Sequence, residues 1–153
     1  MKTNSNQLIV NAIENGTVLD HIPSKNIFKV IDILKLESGE NQVTIGMNLE
    51  SKTFGKKGII KTADRFFKDE EIGRIALLAP EATINVIKGY EVVEKKRIEI
   101  PEKVVGIARC ANPLCVTNHQ EIPTVFTTIR DNSKLKLLCH YCEKTTDAED
   151  VLK

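Results

Sequence analysis

Cys110, Cys115, Cys139 and Cys142 are the four cysteines of the chain, and their spacing is that of a metal site. The first pair, in CANPLC, encloses four residues and the second, in CHYC, encloses two, with 23 residues between the pairs. Each short interval lets one tight turn aim two thiolates at a common point, and two such turns complete a tetrahedron around Zn2+. Disulfides are the competing use of four thiols, and a reducing cytosol disfavours them. Thiolate cages also hold iron, but zinc is the usual structural occupant. Four thiolates leave no open coordination position, and no His, Asp or Glu is spaced to act on a metal-bound water. The expected site is therefore structural, with one zinc per chain. His140, inside the second pair, ranks below Cys139 as a ligand because it breaks the turn geometry of the CxxC spacing.

The elements that position these thiols are short. CANPL reads as the first knuckle, and TVFTTIRDNSKLKLLC reads as a β-hairpin with DNSK at its tip, ending on the second knuckle. This C-terminal stretch of about 50 residues is too small to stabilise itself by apolar burial alone, so a metal would supply what the core lacks. Upstream, TVLDHI has strand composition, and Ser24 after Pro23 is placed to cap a helix over SKNIFKVIDILKLE, where Ile27, Val30, Ile31 and Leu34 recur at helical spacing. QVTIGMNLES alternates apolar and polar positions as a half-buried strand, and GIIKT follows as another. FKDEEIGRIALLAP carries an acidic first turn and a terminal proline, the marks of a second helix. ATINVIK and YEVVEKKRIEI are strands divided by Gly89. Strand, helix, two strands, helix, strand, with an extra hairpin arm, predicts an α+β chain. Its N-terminal domain, 1–100, is a ferredoxin-like antiparallel sheet with two helices on one face. IEIPEKVVG reads as a connector, and 101–153 as a small zinc-bound β domain.

Charge excludes more than it proposes. Lys and Arg total 22 against 21 Asp and Glu, which gives no general case for a nucleic-acid coat or an anionic membrane surface. MKTNSNQLIV lacks the apolar stretch of a signal peptide, and no run approaches a membrane span, so a cytoplasmic protein is expected. A zinc-ribbon nucleic-acid binder would want a basic stripe with stacking aromatics, yet aromatics make up only 5% of the chain. There is no GxxxxGK[ST] loop for a P-loop hydrolase. An enzyme built on Asp20 and His21 lacks a third partner in the sequence. Taken singly, His21 suits a turn or core histidine, Lys95 to Arg97 a solvated strand edge, and Tyr90 a hairpin aromatic.

GTVLDHIP, TIGMNL, GKKGIIK, LAPEATINVIKGYEVVEK and the CxxxxC…CxxCEK tail agree in order and spacing with one family. Along essentially its whole length the chain resembles the regulatory chain of aspartate carbamoyltransferase. The resemblance implies a non-catalytic subunit with an N-terminal nucleotide-effector domain and a C-terminal zinc domain that grips the catalytic chain, regulatory dimers bridging catalytic trimers. In that family CTP typically inhibits and ATP typically activates, at one shared site. The positions that match its effector site are Asp20, His21, Lys61, Asn85, Ile87, Tyr90, Val92 and Lys95, with Val10, Asn11, Ile13 and Val18 matching by position. The resemblance implies that Lys95 and His21 neutralise phosphate charge by charge-assisted hydrogen bonds and that Lys61 serves the ribose or base. Backbone groups around Ile13 and Tyr90 would read the exocyclic amino group that adenine and cytosine share. Two features depart from the family pattern: Asn11 stands where a familiar bacterial member has an acid, and the first knuckle, CANPLC, keeps Asn112 but places Pro113 and Leu114 where a more polar, asparagine-rich loop is expected.

Overall fold

The computed structural model describes residues 12–52, 55–131 and 134–150. The chain divides into two compact units, 1–98 and 99–153.

In the first unit, β1 (Gly16–Pro23), α1 (Ile27–Ile33), β2 (Val43–Ser51), β3 (Gly55–Ala63), α2 (Asp69–Leu78), β4 (Thr83–Lys88) and β5 (Glu91–Arg97) follow one another. The strands form one antiparallel sheet in the order β2-β3-β1-β4-β5. Its first four strands have the predicted ferredoxin-like order, and the extra hairpin arm becomes the edge strand β5. Period two in the strands sorts the side chains. Thr17, Leu19, Ile60, Thr62 and Ile84 are buried, against a core that includes Ile27, Val30 and Ile31 of α1 and Ile75 to Leu78 of α2. Val18, Asp20, Lys61, Thr83 and Asn85 belong to the opposite, open face and are only half-buried.

α2 begins as its sequence predicts. Asp69, Glu70 and Glu71 occupy the first turn, and Glu71 Oε1 accepts from the Lys68 backbone N–H at 3.1 Å while Oε2 takes the Arg65 guanidinium at 2.8 Å. The start of α1 differs from expectation. Ser24 does not cap it: Ser24–Asn26 form a 3-10 turn, and Ser24 Oγ accepts instead from the Asn48 backbone N–H at 2.9 Å. The Asn26 amide also turns away from its own helix to donate to Leu78 O at 2.8 Å, covering a carbonyl at the end of α2. α1 is also shorter than its periodicity predicts. Lys35 has φ 54°, which stops the helix, and Leu36–Ser38 continue as a separate 3-10 turn.

The second unit is a four-stranded antiparallel sheet, β6 (Lys103–Val105), β7 (Val125–Asp131), β8 (Lys134–Cys139) and β9 (Thr145–Asp147), in that order. The hairpin of β7 and β8 is the predicted one; residues 132 and 133 of its DNSK tip lie outside the described residues. Val104, Phe126, Leu135, Leu137 and Ala148 are its main apolar core, which is small. The expected connector is corrected here. From Pro101 onward it belongs to the second unit, because Thr128 Oγ1 donates to Pro101 O at 2.7 Å, Thr128 N–H donates to Glu102 O at 3.0 Å, and β6 pairs with β7. On the other side, buried Ile98 donates its N–H to Ala82 O at 3.0 Å within the first unit. The covalent link between these ties is Glu99 and Ile100.

Candidate functional site

Two sites emerge, one in each unit. In the second, β8 ends on Cys139 and a tight turn brings Cys142 back, with Glu143 at φ 60° donating its N–H to Cys139 O at 3.0 Å. The first knuckle is organised by asparagines. Asn112 O accepts the Cys115 N–H at 3.0 Å, and Asn118 Nδ2 donates to Asn112 O at 2.7 Å and to Cys110 O at 3.0 Å. The four thiols converge until their sulfurs all lie within 4.8 Å of one another. Cys110 and Cys142 Sγ are 3.6 Å apart, Cys115 and Cys139 Sγ 3.7 Å. Sulfurs in a disulfide sit at about 2.05 Å, whereas ligands at about 2.3 Å from a tetrahedral zinc stand roughly 3.8 Å apart. The donor set therefore fits zinc. The four sulfurs are unequal without a cation: burial pushes Cys110 up to about 12 and also raises Cys139. The Thr117 hydroxyl, 3.2 Å away, holds Cys115 down. For Cys142, burial is outweighed by the Lys144 backbone N–H and the Asn112 side chain, giving about 7. A divalent cation at the centre would stabilise all four as thiolates. His140 is exposed, stacks edge-on with Tyr141 at 5.1 Å between ring centroids, and is not in the cluster.

In the first unit the open face of the sheet collects the other candidate residues in rows. One row runs Lys61, Val18, Asn85, Lys95 across β3, β1, β4 and β5. A neighbouring row carries Ala63, Gly16, Ile87 and Val92, and on the other side lie Asp20, Thr83 and Arg97. Simple alternation would turn His21 to the helix side. The pairing of β1 with β3 slips between Leu19 and Ile22, and His21, at φ 60°, brings its Nδ1 to 3.4 Å from Thr83 Oγ1 and 3.8 Å from Asp20 Oδ2. The bulge thus puts two successive residues on one face. Asp20 is paired with Lys57 at 3.0 Å. Burial lowers the pKa of Lys61, with Asp20 opposing. At the apolar end the β4–β5 hairpin turns through Gly89 and Tyr90, both with positive φ, and Tyr90 N–H donates to Glu14 O at 2.9 Å. That bond carries the backbone beside Ile13 to the hairpin, where Tyr90 and Val92 are exposed. Val10 and Asn11 lie outside the described residues.

Lys57, Thr83 and Arg97 share this face and were not singled out from the sequence. Lys57 has a visible signal, its spacing of four from Lys61 along one strand. Thr83 and Arg97 follow only from register.

Among the described residues no helix is long and apolar enough to cross a membrane. Residues 8–99 match the family model described as aspartate carbamoyltransferase regulatory chain, allosteric domain, and residues 102–152 match that of the metal binding domain. The chain is 51% identical over 152 residues to the aspartate carbamoyltransferase regulatory chain of Bacteroides thetaiotaomicron, covering 99% of this chain and 98% of the relative. The regulatory chain of Pyrococcus abyssi is 48% identical over 148 residues, 95% of this chain and 97% of the relative.

Proposed function

The chain belongs to the family of aspartate carbamoyltransferase regulatory chains, and from that premise we propose that it binds CTP and ATP at one site on the open sheet face and conveys their presence to the catalytic chain. As a regulatory chain it performs no catalysis itself. The observation that carries the nucleotide reading is the gradient across that face. Ile87, Val92 and Tyr90 give an apolar end, Lys61, Asn85 and Lys95 a polar and basic middle row, and Lys57, His21 and Arg97 a basic end interrupted by Asp20. Three rows of a strand span about 13 Å, a length that suits base, sugar and phosphates laid in line. Base contacts at the Ile13 and Tyr90 backbone, sugar contacts at Lys61, and phosphates at Lys95 and His21 would follow the gradient. The second unit takes zinc on Cys110, Cys115, Cys139 and Cys142, where the ion supplies folding energy and fixes the two knuckles. In this reading the chains pair into regulatory dimers, bridge catalytic subunits in the cytoplasm and tune the first committed chemistry of pyrimidine synthesis.

Calorimetric titration of the purified chain tests the pocket. CTP and ATP are expected to compete, and Lys95→Ala to weaken both by about 1.5–3 kcal/mol, the range for hydrogen bonds to charged groups, with zinc content unchanged. Independent binding of the two nucleotides, or equal affinity in Lys95→Ala, would refute the assignment.

A further inference from the structure

We propose that the first unit carries a second small-molecule site, on the helix side of its sheet, that takes a small aromatic carboxylate. The observation behind it is a cavity of about 310 Å³ between the segment that enters α2 and the strands β4 and β5. Ligand sites begin at about this size.

The cavity originates in a mismatch of layers. Two helices pack against a sheet of five strands, and every residue of the edge strand β5 is exposed, so a trough is left beside α2. Period two puts Ile84 and Val86 of β4, with Lys96 and Glu94 as their partners on β5, on the face opposite Asn85 and Lys95. Phe66, Phe67 and Ile72 form the facing wall. This wall is tied at both ends. Arg65 O accepts from Thr17 Oγ1 at 2.6 Å, and the Arg65 guanidinium reaches Leu34 O at 3.0 Å and Glu71 Oε2 at 2.8 Å. On the other side of the two aromatics, Lys68 N–H donates to Glu71 Oε1. Arg65 also lies over the Phe67 ring, 5.0 Å from its centroid, while Phe66 stays 48% exposed. A wall held in this way has little ordering left to lose when a ligand enters.

The lining selects the ligand. Aromatic and branched side chains around a narrow space suit a flat ring, which Phe66 and Phe67 can meet edge-on or offset. The polar groups are mainly cationic. Lys88 Nζ stands 5.8 Å from the Phe66 ring centroid and, although Glu91 is its neighbour across β4 and β5, it makes no ion pair among the described residues. Lys96 pairs with Glu94 at 3.6 Å, but both side chains are well exposed, and a surface pair of this kind is easily exchanged. A ring seated against Phe66 thus brings one carboxylate to Lys88, with Lys96 close by. A triphosphate carries more charge than two lysines and a glutamate neutralise. None of these residues belongs to the effector face, so the proposal stands apart from the nucleotide reading.

The test titrates methyl-labelled, zinc-loaded full-length chain with naphthoate and follows the methyl NMR signals, with the neutral amide of the same ring as control. Saturable shifts are expected at Ile72, Ile84 and Val86, with a Kd of about 1 mM or tighter, while Ile87 and Val92 on the open face stay still. The amide should bind roughly tenfold more weakly, as should naphthoate to Lys88→Ala, and Lys88→Arg should stay near wild type. Val86→Phe fills the cavity and should abolish the shifts at Ile72 and Ile84; urea unfolding of the variant checks its fold. Phe66→Ala removes an exposed part of the wall and should weaken binding without filling anything. Absence of a saturable shift overturns the site, as do shifts centred on Ile87 and Val92. Equal binding of acid and amide overturns the ligand class, and wild-type affinity in both Lys88→Ala and Phe66→Ala overturns the assignment to this cavity.

Discussion

Lys61 lies half-buried between Val18 and Thr44, its neighbours across the sheet, and burial holds its pKa below the ordinary lysine value of 10.5. The folded state therefore favours the neutral amine more than the unfolded state does. Below the folded pKa the residue is charged in both states and its burial opposes folding; this opposition is relieved as pH rises toward the unfolded value. Asp20 offsets part of it. Lys61→Met, similar in length and uncharged, should raise the Tm of the full chain at pH 7, with the gain shrinking near pH 10, while nucleotide affinity falls. Thermal unfolding at the two pH values reads this directly, and a lowered Tm at pH 7 would show that Lys61 is a stabilising residue rather than a functional one kept against stability. At this scale the cysteines were legible from sequence because each ligand pair is local, four or two residues apart. The proposed effector positions rest on family resemblance alone. His21 reaches the open face by a bulge, and Thr83 and Arg97 join it by register, neither of which composition reveals.

The elements owe their contacts to a few close approaches. Gly58 in β3 is one: a Cβ there would lie 2.2 Å from Ile27 Cδ1 and 2.3 Å from its Cγ1. Ile27 is fully buried at the start of α1, so its side chain has little room to turn away. Gly58→Ala should destabilise the first unit by about 1–3 kcal/mol, as overpacking does, and Gly58→Ala with Ile27→Ala should cost less than the sum of the two singles because the clash is gone. Urea unfolding of the four proteins measures the cycle; strict additivity, or a neutral Gly58→Ala, would remove the close approach from the account. Helix periodicity located both helices, and the acidic turn placed the start of α2 well. The start of α1 was misread because Ser24 and Asn26 use their polar side chains on Asn48 and Leu78, partners that are distant in sequence. Its end differs from expectation because Leu34, at the C-cap, is buried like a helix residue and Leu36 goes on burying apolar surface after Lys35 has left the helix. Apolar spacing reports burial, not helix continuity.

The chain joins the sheet face proposed for nucleotides to the unit that carries the four-cysteine cluster, and Glu99 and Ile100 lie between the last described tie of one and the first of the other. The α+β class and the order of elements were readable from hydrophobic patterning. The assignment of IEIPEKVVG was not, since three of its residues, Lys103–Val105, become a strand only when β7 is beside them. A nucleotide on the first unit alters catalysis elsewhere only by binding two quaternary states unequally, and such coupling is typically about 1–3 kcal/mol and reciprocal. The most direct measurement reconstitutes the zinc-loaded chain with its catalytic chain and follows aspartate saturation at increasing CTP and, separately, ATP. Each nucleotide is expected to shift the aspartate midpoint, the shift to saturate at the nucleotide concentration that fills the site on the isolated chain, and Lys95→Ala to move both responses to higher concentration. An aspartate curve unmoved by saturating CTP and ATP, in a complex shown to be assembled and zinc-loaded, would contradict it.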